Sequence, residues 1–108
     1  VLSRFHRGGG TLYDLEFLTD ATGRRVAAFG FHAGFAGAAT GALALAMERN
    51  GRKLGHLAPF ESEQAMLEEV RQALGNNGGK GLKALVIGAL GRCGRGAVDL
   101  FRKIGLEE

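Results

Sequence analysis

The chain contains no tryptophan, a single proline (Pro59) and a single cysteine (Cys93), and aromatic residues make up only 7% of it. One cysteine excludes an internal disulfide and suits a reducing compartment. One proline excludes a proline-rich disordered tract. The net charge is +3, yet no run of four lysines or arginines occurs, so there is no concentrated basic face of the kind that grips nucleic acid. No apolar stretch reads as a membrane span of ~18 residues. The opening residues, Val-Leu-Ser-Arg-Phe-His-Arg, lack the apolar centre and cleavage site of a secretory leader, and the first residue is not Met. That opening reads as an internal piece of a longer protein.

What the chain does have is glycine: 19 of 108 residues, well over twice the usual ~7%. The glycines follow no collagen-like period. The most informative of them lie in Val86-Ile-Gly-Ala-Leu-Gly-Arg-Cys-Gly94. Residues 82–87, apolar except for Lys83, predict a buried strand, and residues 93–104 predict a helix stopped by Gly105. Between them Gly88, Gly91 and Gly94 are spaced G-x-x-G-x-x-G, with Gly96 added. The commoner dinucleotide fingerprint is G-x-G-x-x-G, so the variant alone is a modest signal. A ligand-free turn is the plain alternative. Strand and helix on either side supply the context in which bare amides and a helix N-terminus receive a pyrophosphate. Arg92 then faces an anionic cofactor.

Upstream, residues 11–18 alternate as a strand, residues 19–23 carry turn chemistry, and residues 24–29 predict the returning strand of a hairpin. Asp14 and Glu16 share one face of the first strand. They form either an acid–base pair or partners for Arg24 or Arg25 across the hairpin. Adjacent arginines on a strand point to opposite faces, so one at most enters a given pocket. Arg25, beside Val26 and Phe29, is the better carboxylate binder, and a solvated hairpin edge is the plain alternative. Residues 32–50 predict a helix in which Ala33, Gly34, Gly37, Ala38, Gly41 and Ala42 form a small-residue strip for close backbone packing. A transmembrane small-residue motif is a weaker reading, since Glu48, Arg49 and Asn50 close the segment. Ser62 predicts the cap of a helix through Leu74. Residues 75–81 are a glycine-rich break and the candidate domain boundary. His6, His32 and His56 lack metal spacing, and Cys93 has no partner within the chain.

These residues resemble a known family. Gly10-Thr-Leu-Tyr-Asp-Leu-Glu-Phe-Leu18, Gly23-Arg-Arg-Val-Ala-Ala-Phe-Gly-Phe31, Ala33-Gly-Phe-Ala-Gly-Ala-Ala39 and the 86–94 loop closely resemble the NAD-dependent, L-lysine-forming saccharopine dehydrogenases. The resemblance covers nearly the whole chain. It implies an α/β fragment of a two-domain enzyme: residues 1–31 ending one Rossmann-like domain with a hairpin, residues 32–81 an interdomain helix, connection and second helix, and residues 82–108 opening the NAD-binding Rossmann domain.

The implied reaction, in lysine biosynthesis by the α-aminoadipate pathway, oxidises saccharopine with NAD to L-lysine and 2-oxoglutarate. By the same resemblance Arg25 and Phe29 belong to the substrate site. Arg24, Gly91 and Arg92 contact NAD, joined by Gly88 and Gly94 of the loop. Glu16 lies near the catalytic pair and tunes its charge. The acid–base lysine and histidine of the family, the acid that holds the adenosine ribose and the cysteine that pairs with Cys93 all fall outside the chain, and Arg95 replaces a small polar residue. The piece by itself is therefore expected to be inactive. No metal, membrane or nucleic acid is expected, and the expected compartment is the cytoplasm, with the peroxisome open. A truncated non-catalytic binding or assembly module and a related amino-acid dehydrogenase are the competing readings.

Overall fold

A computed structural model describes residues 2–75 and 81–106. Four helices succeed one another: α1 (Leu2–Gly8), α2 (Gly30–Arg49), α3 (Glu63–Leu74) and α4 (Arg92–Lys103), with a 3-10 turn at Leu15–Phe17 between the first two. No strand forms among the described residues. Residues 76–80 of the glycine-rich break at 75–81 lie outside them.

α2, α3 and α4 make the core. Phe35, Ala39, Ala42 and Leu43 of α2 meet Leu67 and Val70 of α3 and Leu100 of α4, with Ile104 just beyond it. Leu43, Val70 and Leu100 are sealed from solvent. α3 begins as expected, the Ser62 hydroxyl accepting the Ala65 N–H at 3.1 Å. α4 ends as expected, at Ile104 and the left-handed Gly105. Two polar links join α3 to α4: Arg71 Nη2 donates to the Lys103 carbonyl at 2.6 Å, and Lys103 Nζ reaches Glu63 Oε1 at 2.7 Å. Lys103 also pairs with Asp99 at 2.9 Å and stands 5.2 Å from the Phe35 ring centre.

By length and composition alone α2 is apolar enough to cross a membrane, although the sequence pattern showed no such stretch. Its Phe35, Ala39, Ala42, Leu43 and Ala46 are buried, about a fifth of the apolar stretch. Of the small-residue strip, Ala42 is buried in the core and Ala38 packs against it, but among its glycines only Gly34 meets a crossing backbone. A Cβ on Gly34 would collide with the Cys93 carbonyl, and one on Gly96 with the Phe31 carbonyl, so these two glycines let α2 and α4 touch backbone to backbone. Gly37 and Gly41, also assigned to the strip, face open space.

The three expected strands need correction. Residues 11–18 do not alternate across a pleat: the Asp14 carboxylate accepts the Glu16 N–H at 2.8 Å and turns the chain into the 3-10 turn. The hairpin shrinks to one antiparallel bridge, Thr19 with Arg25. Asp20 closes its loop, accepting from Thr22 N (2.8 Å), Thr22 Oγ1 (2.6 Å) and Arg24 N (3.0 Å). Residues 82–87 do not keep a strand's alternation: Leu82 and Val86 are half-buried, but Ala84 between them is exposed, and Leu85 and Ile87 are 88% and 90% exposed. A parallel-sheet strand is stable only with partners for its amides and cover for both faces, and none stands beside this one among the described residues. The dimensions agree: the radius of gyration is 18.0 Å, against ~13 Å for a closed domain of this length.

Candidate functional site

The site lies where α2 crosses α4. Gly88 has φ +76°, and the N–H of Gly91 donates to its carbonyl at 2.9 Å, closing a tight turn. Gly91 is the extended N-cap of α4, and the first helical bond runs from Arg95 N to Gly91 O at 2.9 Å. The amides of Arg92, Cys93 and Gly94 precede that bond and so have no helical acceptor. A Cβ on Gly94 would collide with the Gly88 carbonyl, so a side chain there would force the turn off the helix. The loop is exposed at Gly88, Leu90, Gly91 and Arg92.

Facing this loop is the segment that leads into α2. An open cleft of about 600 Å³ has Glu16, Arg25, Ala28, Phe29, Gly30 and Ala33 on one wall and Ile87, Gly88, Gly91, Arg92, Cys93 and Gly94 on the other. That volume is ordinary for a small-molecule site. Arg25 Nη2 donates to Glu16 Oε2 at 2.6 Å, and Ala27 O lies 3.5 Å from the same nitrogen. Two arginines against one glutamate leave the lining with a surplus positive charge, and the free amides of α4 add to it. The arrangement suits an anionic ligand that reaches from the helix terminus to Arg25.

The structure therefore gathers Glu16, Arg25, Phe29, Gly88, Gly91, Arg92 and Gly94, residues far apart in the chain, into one cleft. Arg24 is not in its lining; its backbone is held by Asp20. Asp14 does not stand beside Glu16 as an acid–base partner, because it caps the 3-10 turn. Of the two arginines open to the carboxylates, Arg25 makes the pair. Cys93 is exposed, and its sulfur approaches the bare face of Gly30, where a Cβ would lie 3.2 Å away. Sequence reasoning missed Gly30. Its four-residue spacing from Gly34 is the signal that extends the strip back to the cleft. Among the described residues no group of three or more His, Cys, Asp or Glu side chains gathers as a metal site.

No family model matches the chain. Among curated proteins its relatives are NAD-dependent dehydrogenases. The saccharopine dehydrogenase [NAD(+), L-lysine-forming] of Candida glabrata is 51% identical over all of this chain and 31% of its own length. The enzyme of that name from Yarrowia lipolytica is 52% identical, with the same coverage. That of Schizosaccharomyces pombe is 51% identical over 98% of the chain and 30% of its own length. The chain is thus similar, over its whole length, to one part of the saccharopine dehydrogenases, and it spans about 30% of the length of the curated relatives it matches.

Proposed function

We propose that this chain is the part of an NAD-dependent saccharopine dehydrogenase that carries one substrate-carboxylate site and the diphosphate loop of the cofactor. The carrying observation is the cleft, in which Arg25 and Phe29 face Gly88, Gly91, Arg92 and Gly94 across a space open to solvent. Half identity to enzymes of that name supports the reading.

The residues fit a dinucleotide at the loop. Three amides without helical acceptors, a turn that only glycine fills at position 94, and the adjacent Arg92 make a donor set for a diphosphate. Bound there, NAD would accept the hydride that leaves the carbon next to the secondary amine of saccharopine; hydrolysis of the resulting imine yields L-lysine and 2-oxoglutarate. This chain's own residues bind and orient. Arg25 holds a carboxylate through its planar fork, Phe29 lays an apolar face beside it, and Arg92 with the loop amides takes negative charge from the opposite wall. Arg24 serves the cofactor from outside the cleft lining. Glu16 adds negative charge near the acid–base groups, which in this reading come from elsewhere in the enzyme.

The finer architecture belongs to the same proposal. Residues 1–31 close one Rossmann-like domain, α2 crosses between domains, and residues 82–108 open the NAD-binding domain, with 82–87 becoming a sheet strand once flanked by others. The unburied Leu85 and Ile87 favour this.

The test is a chimaera in which these 108 residues replace the matching stretch of the Yarrowia lipolytica enzyme. Saccharopine-dependent formation of NADH supports the proposal. A folded chimaera that binds NAD without turnover, or binds nothing, overturns it in favour of a non-catalytic module.

A further inference from the structure

We propose that Glu16 is a positioning residue that holds the Arg25 guanidinium at the mouth of the cleft, ready for a ligand carboxylate; the inference rests on the reading of Arg25 as a carboxylate binder. Four observations carry it. The backbone of Arg25 is fixed by its bridge to Thr19, and the loop between is tied by Asp20. Its side chain is not fixed by burial, since 44% of it is exposed, and an arginine so placed has rotamer freedom to lose before it can bind. The contact that restrains it is Glu16 Oε2 at 2.6 Å from Nη2, reinforced by the Ala27 carbonyl. Glu16 is itself held at its base, where Asp14 accepts its N–H.

The geometry leaves the arginine usable. Glu16 engages Nη2, while Nε and Nη1 keep their donors for an incoming carboxylate. An ion pair this exposed contributes little to folding, so its effect falls on where the guanidinium waits rather than on stability. The pair also keeps the wall from carrying an uncompensated charge when no ligand is bound. In chain order the device runs from Asp14 through Glu16 to Arg25: a backbone cap orders the glutamate, and the glutamate orders the arginine.

Four variants of the full-length dehydrogenase carrying this segment test the proposal: Glu16→Gln, Glu16→Asp, Arg25→Ala and the double variant Glu16→Gln/Arg25→Ala. Glu16→Gln should raise KM for saccharopine about 2- to 5-fold, the range expected for one exposed ion pair, with KM for NAD unchanged. Glu16→Asp keeps the charge but withdraws it by one methylene, so it should behave like Glu16→Gln. Arg25→Ala should raise KM about 10- to 100-fold, as for a lost charged hydrogen bond, and the double variant should be no worse than Arg25→Ala alone. The positioning role is overturned if the two effects multiply, if Glu16→Asp is indistinguishable from the parent, or if Glu16→Gln moves the pH profile of kcat without moving KM. If Arg25→Ala raises KM and Glu16→Gln does not, only the positioning role fails. If Arg25→Ala leaves KM unchanged, the carboxylate reading falls, and the role resting on it falls too.

Discussion

Gly34 of α2 lies against the backbone of Cys93, the second residue of α4, so closely that a single methyl group would enter the Cys93 carbonyl. Gly96 reciprocates one turn further along, against the Phe31 carbonyl. The wall bearing Arg25 and Phe29 and the loop bearing Gly88 to Gly94 are thereby clamped at one crossing.

Substitution at that crossing should separate two kinds of glycine on one helix. Gly34→Ala forces the helices apart and should destabilise the protein by about 1–3 kcal/mol, as overpacking does. Gly37→Ala, which points into open space, should instead stabilise by up to about 1 kcal/mol through helix propensity. Urea denaturation of the two variants checks this, and equal signs would contradict the packing described.

Gly94→Ala tests the loop. The added Cβ meets the Gly88 carbonyl and must push the turn away from the start of α4. In the full-length dehydrogenase proposed above, NAD affinity should fall about tenfold or more, the equivalent of about 1.4 kcal/mol, while KM for saccharopine changes little. Titration with NAD measures the first quantity and steady-state kinetics the second.

Asp20 makes the loop between Glu16 and Arg25 sensitive to acid. The Thr22 hydroxyl, then the amides of Arg24 and Thr22, hold its carboxyl below the ordinary value of 3.8. A lowered folded-state value means stabilisation present above the unfolded value and lost as pH falls through the folded one. The Thr22 and Arg24 amide resonances should therefore shift together at a pH below 3.8, and in Asp20→Asn that acid transition should disappear.

Lys103 gives the opposite dependence. Glu63 first and Asp99 next raise its ammonium above the ordinary 10.5. Its contribution is complete below the unfolded value and is lost as pH rises through the folded one. Lys103→Gln should lower Tm at neutral pH, and the gap to the parent should close in strongly alkaline buffer. Thermal melts across that range measure it. A gap that stays constant would mean that the residue acts through the packing of its stem rather than its charge.

The three core helices were legible because their signals are local, whereas α1 was not read from the sequence. Ser62 caps α3, Gly105 stops α4, and small residues at three- and four-residue steps mark α2. The strands were not, for two separate reasons. At residues 11–18 a period-2 pattern competes with Asp14, whose short carboxylate offers the backbone a nearer partner than any neighbouring strand. At residues 82–87 the apolar pattern is sound, but a strand exists only as a member of a sheet, and no described residue pairs with it. Gly30 escaped notice because its purpose, room for Arg92 and Cys93, is a contact across more than sixty positions of chain.

The amino-acid order by itself determined the kinship with the dehydrogenases, the three core helices and the loop in which glycine is obligatory, since each depends on neighbours within a turn or two. Tertiary structure alone decided which glycines of α2 bear a crossing backbone, which of two arginines Glu16 holds, and that these residues share one cleft. Those outcomes depend on Cβ-scale clearances and side-chain reach between distant segments, which spacing along a chain does not encode.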